Sequence, residues 1–524
     1  MFQKKWMNVF AVLLVVFLFC GIATAREPVG RAKYVFIFIG DGLGVAQRNA
    51  AELYLAHMKG STRPEESRLL MNTFPAQGMN TTYDLSSVIP DSASTATAIA
   101  TGFKTKAGII GMSPDGKTAY PNIAEMAKKK GWKVGILSTV SLDHATPAAF
   151  YAHIPNRRQM YDICMQLAGS GFDYFAGGQM AVPRDKKDET KPSAIETAKA
   201  NGYTVAVGRA EFEALLPEAD KVIAMNGMVD EDKAMYYSLD QNGSRDHVTL
   251  AEYVSKGISL LNNPEGFLMV IEGGKIDWAC HANDAAAAIH DTLALDDAIA
   301  EAMTFYKKHP GETLIVVTGD HETGGMTIGF AGTRYSSFVD NIQHQKMSYM
   351  GFGKKLDEYK KTHSADDARL EDVMPIITGA FGLYLLPADE KTALETAVAA
   401  GKEKDAADDI KKAARDAERK LKYSLALTDL EIRVIQDAFK QSMMDEKKRS
   451  TDDYTYLLYG GYEPLSIKLT TILNNKSGIA WTSYSHTGVP VQTSAIGVGA
   501  ELFNGYYDQT DIHKKMVTIA GFDI

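Results

Sequence analysis

A three-layer αβα sandwich is the fold this sequence predicts, with a mostly parallel central sheet and a largely helical insertion. Three observations predict it. Short apolar runs recur without the polar alternation of a half-exposed strand, the pattern of parallel strands covered on both faces. Helical patterns separate those runs, and strands alternating with helices imply a sheet wound on both sides. Between about residues 334 and 475 the texture shifts to Lys, Asp, Glu and Ala, and apolar strands give way to polar helices.

From the N-terminus, Lys4 and Lys5 precede an apolar run from Val9 through Ile22, then Ala23-Thr24-Ala25. Charge, a short apolar core and an A-x-A site predict a signal peptide over residues 1–25 and export to the periplasm or the medium. The run is too short for a comfortable membrane span. Cys20-Gly21 hints at a lipoprotein anchor, which the bulky Phe19 weakens. Cleavage leaves Cys164 and Cys280, enough for at most one disulfide. Residues 26–524 are expected to form one domain, interrupted by the insertion at about 334–475.

The strand candidates are residues 34–39, 133–138, 266–272 and 313–318, with shorter ones at 172–175, 204–207 and 221–225. Helical patterns lie at 123–130 and 285–308. In the insertion, Thr428-Asp429-Leu430-Glu431 forms a capping-box pattern ahead of Ile432-Arg433-Val434-Ile435. With 45% hydrophobic and 23% charged residues among 524, the composition is globular. Lys+Arg total 56 against 65 Asp+Glu, and the formal charge of −9 argues against a nucleic-acid partner.

Ligands of wound α/β sheets bind beyond the carboxyl ends of the strands. Here those ends read Gly40-Asp41-Gly42, Glu272-Gly273-Gly274 and Gly319-Asp320-His321. Carboxylates at several ends of one edge point to a metal site. The glycines around Asp41 do not make a dinucleotide loop, because Val45 stands where the third glycine belongs and Asp41 would repel a pyrophosphate. Asp277 and His281 are spaced i and i+4, so a helix turns both to one side. His486, in Ser485-His486-Thr487-Gly488, is a further candidate ligand. Carboxylate with imidazole suits zinc, and an all-oxygen set suits magnesium.

A short helix is expected after Pro90, started by Asp91 or Ser92 and ended by Gly102. Its free N–H groups and dipole favour an anion such as phosphate. Ser92 reads there as a nucleophile or as an ordinary cap. His144-Ala145-Thr146-Pro147 is followed by His153 and Arg157-Arg158, and an arginine fork matches two phosphate oxygens.

Together these segments resemble the alkaline phosphatase family. The matching landmarks are Ile39-Gly40-Asp41-Gly42, Asp91-Ser92-Ala93, His144-Ala145-Thr146-Pro147 with Arg157, Glu272 with Asp277 and His281, Asp320-His321, and His486-Thr487-Gly488. They occur in the family's order across nearly the whole mature chain. The resemblance implies that Ser92 becomes a phosphoserine and that Arg157, rather than Arg158, grips the phosphoryl oxygens. It implies one zinc on Asp277, His281 and His486, a second on Asp41, Asp320, His321 and Ser92, and magnesium on Asp41, Thr146 and Glu272. His144 stands where the best-known bacterial pattern has aspartate, and Trp278 where it has lysine. His144 is therefore expected behind the ligands of the magnesium site, with activity that depends on added magnesium or tolerates another divalent ion there.

The expected substrates are small phosphomonoesters, cleaved to an alcohol and inorganic phosphate, and the chain is a candidate homodimer. A phosphodiesterase would need room where Arg157 grips oxygen. A sulfatase would need Cys or Ser in a C/S-x-P-x-R context, whereas Ala93-Ser94-Thr95-Ala96 follows Ser92. A non-enzymatic phosphate or metal binder is disfavoured by the retention of Ser92, Arg157 and every candidate ligand.

Overall fold

The computed structural model describes residues 31–61, 63–241 and 243–523; the expected signal peptide lies outside them. In chain order the strands are β1 (Tyr34–Gly40), β2 (Ala76–Thr81), β3 (Lys133–Ser138), β4 (Tyr174–Gly177), β5 (Thr204–Val207), β6 (Val222–Met225), β7 (Phe267–Gly273) and β8 (Thr313–Gly319). The short β9 (Glu322–Thr323), β10 (Thr327–Ile328), β11 (Ile479–Ala480) and β12 (His486–Thr487) follow, then β13 (Val491–Gly497) and β14 (Gly505–Asp508). Ten strands form one sheet in the order β14-β2-β13-β8-β1-β7-β3-β4-β6-β5. Within it β13 alone runs against its neighbours β2 and β8, while the other pairings are parallel. The fold is the expected αβα sandwich.

The period of two along β1 builds two cores. Val35, Ile37 and Ile39 face one layer with Val134, Ile136, Val270 and Val316, covered by Ala93, Ala96 and Ile99 of the Ser92–Thr101 helix. Phe36 and Phe38 face the other with Leu137, Met269, Ile271 and Val317, covered by the Val45–Met58, Leu250–Leu261 and Ala285–Tyr306 helices. The strands in the middle are buried throughout, as β1, β7 and β8 show.

Within the ten-stranded sheet three strands fall outside the expectations, β2, β13 and β14, as do the short β9 to β12 beside it. Gln77, Gly78 and Asn80 give β2 no apolar signature, yet Gly78 is required, since a Cβ there would lie 2.1 Å from the Phe503 carbonyl oxygen. One expected strand shifts: residues 172–175 give way to β4 at Tyr174–Gly177, because Asp173 uses its carboxylate to accept from Val134 N–H at 2.8 Å and to bind Lys128.

Between Tyr349 and Ser477 the chain folds as helices, Tyr349–Lys360, Leu370–Phe381, Ala388–Ala400, Asp408–Tyr423, Asp429–Met443, Asp453–Tyr459 and Pro464–Ser477. Phe352, Ile377, Phe381, Ile435, Leu465 and Leu469 anchor a separate apolar cluster there. Thr428 and Glu431 form the capping box.

Candidate active site at the carboxyl edge of the sheet

Register places the site. Gly40 of β1 pairs with Gly273 of β7 and with Gly319 of β8, so three strands end on one line. Glu272 sits one residue before that line, and Asp41 and Asp320 one residue after it. All three carboxylates are buried.

The Ser92–Thr101 helix points its N-terminus at this edge. Asp91 is the cap, its Oδ1 accepting from Ser94 N–H at 3.0 Å, and Gly102 ends the helix at φ 76°. Because Asp91 caps, the Ser92 hydroxyl is free to face the carboxylates, and its Oγ lies 3.2 Å from His321 Nε2. The other oxygen of Asp91 accepts from Arg157 at 3.0 Å and from Gly108 N–H at 2.9 Å. Burial alone would raise the Asp91 carboxyl, but Arg157 and Ser94 hold it below its ordinary value. One aspartate thus starts the helix and aims the guanidinium. Arg158 is exposed and does not line the cavity in front of Ser92.

Three groups of donors converge here: Asp277 with His281 and His486, Asp41 with Asp320 and His321, and Asp41 with His144 and Glu272. In the first, His486 Nε2 lies 3.1 Å from His281 Nε2 and 3.6 Å from an Asp277 oxygen. Each of these imidazoles turns its other nitrogen to a backbone carbonyl, His281 Nδ1 to Tyr484 at 2.6 Å and His486 Nδ1 to Pro90 at 2.8 Å. That arrangement fixes the ring and leaves Nε2 for a metal. In the second group, His321 Nε2 lies 3.2 Å from Asp41 and 3.5 Å from Asp320. In the third, Thr146 Oγ1 donates to Asp41 Oδ2 at 3.3 Å, and Ser138 donates to Glu272.

The donor set fits cations. Glu272 Oε1 and His144 Nδ1 are buried atoms with no hydrogen-bond partner, a costly condition unless an ion completes them. Burial and the neighbouring Asp41 charge push the Glu272 carboxyl well above its ordinary range, and the same two causes raise Asp320. Burial opposes charge on His321 as well, yet Asp320 and Asp41 raise it to about 10. Burial and the His321 charge bring His486 down to about 4; burial and Arg157 bring His144 to about 4. Glu272 and Asp320 forced to keep protons, a proton held on His321, and neutral imidazoles at His144 and His486 are what divalent cations relieve.

Ser92, Arg157 and every candidate ligand expected from the sequence therefore meet at this edge. Several residues that hold them carry no such signal. Thr323 donates to Asp277 at 2.6 Å and sits 3.2 Å from His321 Nδ1. Thr95 donates to Asp320 at 3.1 Å. Glu322 binds Gln47 at 2.6 Å and Thr487, closing the β9–β12 ribbon that pairs Thr323 with His486. Glu322-Thr323 directly follows Asp320-His321 in sequence, and that adjacency is the one hint of their role.

The chain is similar to known proteins in sequence and in fold. The alkaline phosphatase family model matches residues 32–174 and 166–522. Alkaline phosphatase 3 of Bacillus subtilis (strain 168) is 27% identical over 501 residues, covering 94% of this chain and 90% of that protein. The human tissue-nonspecific alkaline phosphatase is 32% identical over 338 residues, 55% of this chain and 63% of that one. A cold-active alkaline phosphatase from a psychrophilic Shewanella superposes with a TM-score of 0.67 at 25% identity, covering 93% of this chain and 99% of its own. The Thermus thermophilus alkaline phosphatase shares the fold, at a TM-score of 0.71 and 22% identity over 96% of each chain. With the family model matching nearly all of the described residues, the chain belongs to the alkaline phosphatase family, metal-dependent hydrolases of phosphate monoesters.

Proposed function

We propose that the protein is an exported alkaline phosphatase that works through a phosphoserine at Ser92, with two zinc ions and one magnesium ion. The observation that carries the reading is the convergence of three donor groups on the mouth where Ser92 Oγ stands. Asp277, His281 and His486 would hold one zinc; Asp41, Asp320 and His321 the other, with Ser92 beside it. Asp41, Thr146 and Glu272 would hold magnesium, and His144 offers that site an imidazole within reach. An imidazole there favours a softer ion than magnesium alone requires. When bound, the zinc ions supply the positive charge that makes a serine or water oxygen nucleophilic and steadies a departing alkoxide.

The chain's own work is positioning. Ser92 Oγ forms a bond to phosphorus as the ester P–O bond breaks and the alcohol leaves with a proton. Water then bonds to phosphorus as the Ser92 Oγ–P bond breaks, releasing inorganic phosphate and restoring the hydroxyl. Arg157 holds two phosphoryl oxygens through both steps, and the N-terminus of the Ser92 helix faces the same charge.

Ser92→Ala should abolish the covalent intermediate and cut turnover of a generic phosphomonoester by more than about 10³-fold, on the scale that nucleophile loss takes in other covalent enzymes. Wild-type rates in that variant would overturn the assignment. For export, the mature protein should begin at Arg26 by mass. No helix among the described residues is long and apolar enough to cross a membrane.

A further inference from the structure

The cavity in front of Ser92 holds about 370 Å³ and extends past the phosphoryl position. Its inner lining is Ser92, Arg157 and the donors already described. Its outer wall is different: Trp278, Tyr349 and Tyr462, with Asp232 at the rim. None of these four addresses phosphate or metal.

The rings of that wall are held in place. Tyr349 and Tyr462 stand edge to face, with centroids 5.6 Å apart and planes at 85°. Tyr237 backs Tyr349 at 5.9 Å, and Tyr484 backs Tyr462 at 6.4 Å. Trp278 lies between His144, edge-on at 6.0 Å, and the Lys275 ammonium, 4.6 Å from its ring centroid. Their backbones are tied to the catalytic layer as well. Tyr349 N–H donates at 2.8 Å to Asp284, the residue that caps the Ala285–Tyr306 helix. Tyr462 follows Gly460 and Gly461, both at positive φ, and immediately precedes the start of the Pro464–Ser477 helix. A Cβ on Gly460 would meet the Tyr484 ring at 2.4 Å, so the glycine is what lets that ring back Tyr462. Tyr484 in turn presents its carbonyl to His281.

Rings fixed in this way lose little freedom when a ligand arrives, and aromatic ligands pair with such rings offset-stacked or edge to face. Asp277, His281 and His486 line the same cavity as the three rings, so the alcohol part of a substrate seated there has those rings as neighbours. The rim carboxylate of Asp232 disfavours a leaving group that carries further phosphate and can accept N–H or O–H donors from one that does not. We propose that Trp278, Tyr349 and Tyr462 form a leaving-group subsite for a flat, uncharged aromatic group, the base of a nucleoside 5′-monophosphate being the fitting class. The inference rests on the phosphomonoesterase reading of Ser92.

The test compares adenosine 5′-monophosphate with methyl β-D-ribofuranoside 5-phosphate, which carry the same reacting 5-oxygen and differ by the base. With the zinc- and magnesium-loaded enzyme, kcat/KM should favour the nucleotide by roughly tenfold, the order that one stacked ring supplies. Tyr462→Leu should bring that ratio near one, leaving kcat/KM for the riboside and competitive inhibition by inorganic phosphate unchanged; Tyr462→Phe should keep the preference. Equal kcat/KM for the two substrates in the wild-type enzyme overturns the subsite, as does a full preference retained in a folded Tyr462→Leu. Should Tyr462→Leu fail to fold, the wild-type ratio and Tyr349→Leu decide. Hydrolysis of neither substrate would instead overturn the phosphomonoesterase reading beneath it.

Discussion

The sheet edge and the helices between Tyr349 and Ser477 handle charge in opposite ways. At the edge Asp41, Glu272, Asp320 and His321 are all buried, each within reach of another charged group. In the helices, charges lie outside: the Ala388–Ala400 helix buries no residue, and the Asp408–Tyr423 helix buries only Ala414 and Ala417. Pairs such as Lys391 with Asp429 at 2.6 Å and Lys422 with Glu418 at 2.6 Å stand in solvent, where ion pairs contribute little. The edge concentrates electrostatic cost where chemistry needs it. The helices keep solvated faces, and among the described residues Tyr349 and Tyr462 bring them to the cavity in front of Ser92.

That contrast predicts separable damage. Leu469 is fully buried in the helical cluster, which contains no candidate ligand. Leu469→Ala should cost about 2–5 kcal/mol of stability by removing buried methyl groups and leaving a cavity, while turnover at 25 °C in the folded, metal-loaded enzyme stays near wild type. Denaturant unfolding and initial rates on the same sample check both. If activity falls in step with stability, the helical cluster is not peripheral and the contrast fails.

The contrast between buried and solvated charge extends to titration, with opposite signs. Asp291, on the Ala285–Tyr306 helix, is pushed from the ordinary 3.8 to about 7, chiefly by burial, with Lys275 and Ser238 opposing. A carboxyl that holds its proton more tightly folded than unfolded adds stability below pH 3.8, and that contribution is lost as pH rises through 7. A tenfold difference in proton affinity between the folded and unfolded chain corresponds to about 1.4 kcal/mol. Asp291→Asn should therefore flatten the decline of urea midpoint between pH 4 and 7. Asp452 caps an exposed helix and is held below its ordinary value by Thr455 and Ser450. Its contribution is present above pH 3.8 and lost as pH falls, so Asp452→Asn should leave the pH 4 to 7 slope unchanged. A steep slope that persists in Asp291→Asn would place its source in another buried acid.

The same contrast explains what could be read from residues alone. Buried parallel strands announce themselves, because both faces must be apolar; β1, β7 and β8 were legible for that reason, and with them the strand ends that carry Asp41, Glu272 and Asp320. β2 lies between β14 and β13 and buries only alternate residues, Ala76, Gly78 and Asn80, so it carries no apolar run and was silent. Asp91 and Gly102 marked the Ser92 helix because caps are local chemistry. What Tyr462 or Thr323 touches is set by pairing and packing across long separations, such as β9 against β12, and no local pattern encodes it. Family motifs supplied the ligand set; only the fold showed Asp91 serving the helix and Arg157 at once.

Thr323 sharpens the comparison most finely, because it lies between a legible ligand and an illegible support. Its hydroxyl donates to Asp277 and stands beside His321 Nδ1, so one side chain touches residues of two different donor groups. Thr323→Val keeps the branched shape and removes the hydroxyl, leaving β9 able to pair with β12. Groups that orient metal ligands typically govern about 10–100-fold in metal affinity or activity. The variant should therefore need more zinc to reach half-maximal activity, by a factor in that range, with its melting temperature after zinc loading close to wild type. Zinc titration of the stripped protein, followed both by activity and by bound metal, separates the two effects. An unchanged zinc requirement would mean that Asp277 and His321 are oriented by the sheet alone, and that the ribbon carrying His486 contributes position without coupling the two groups.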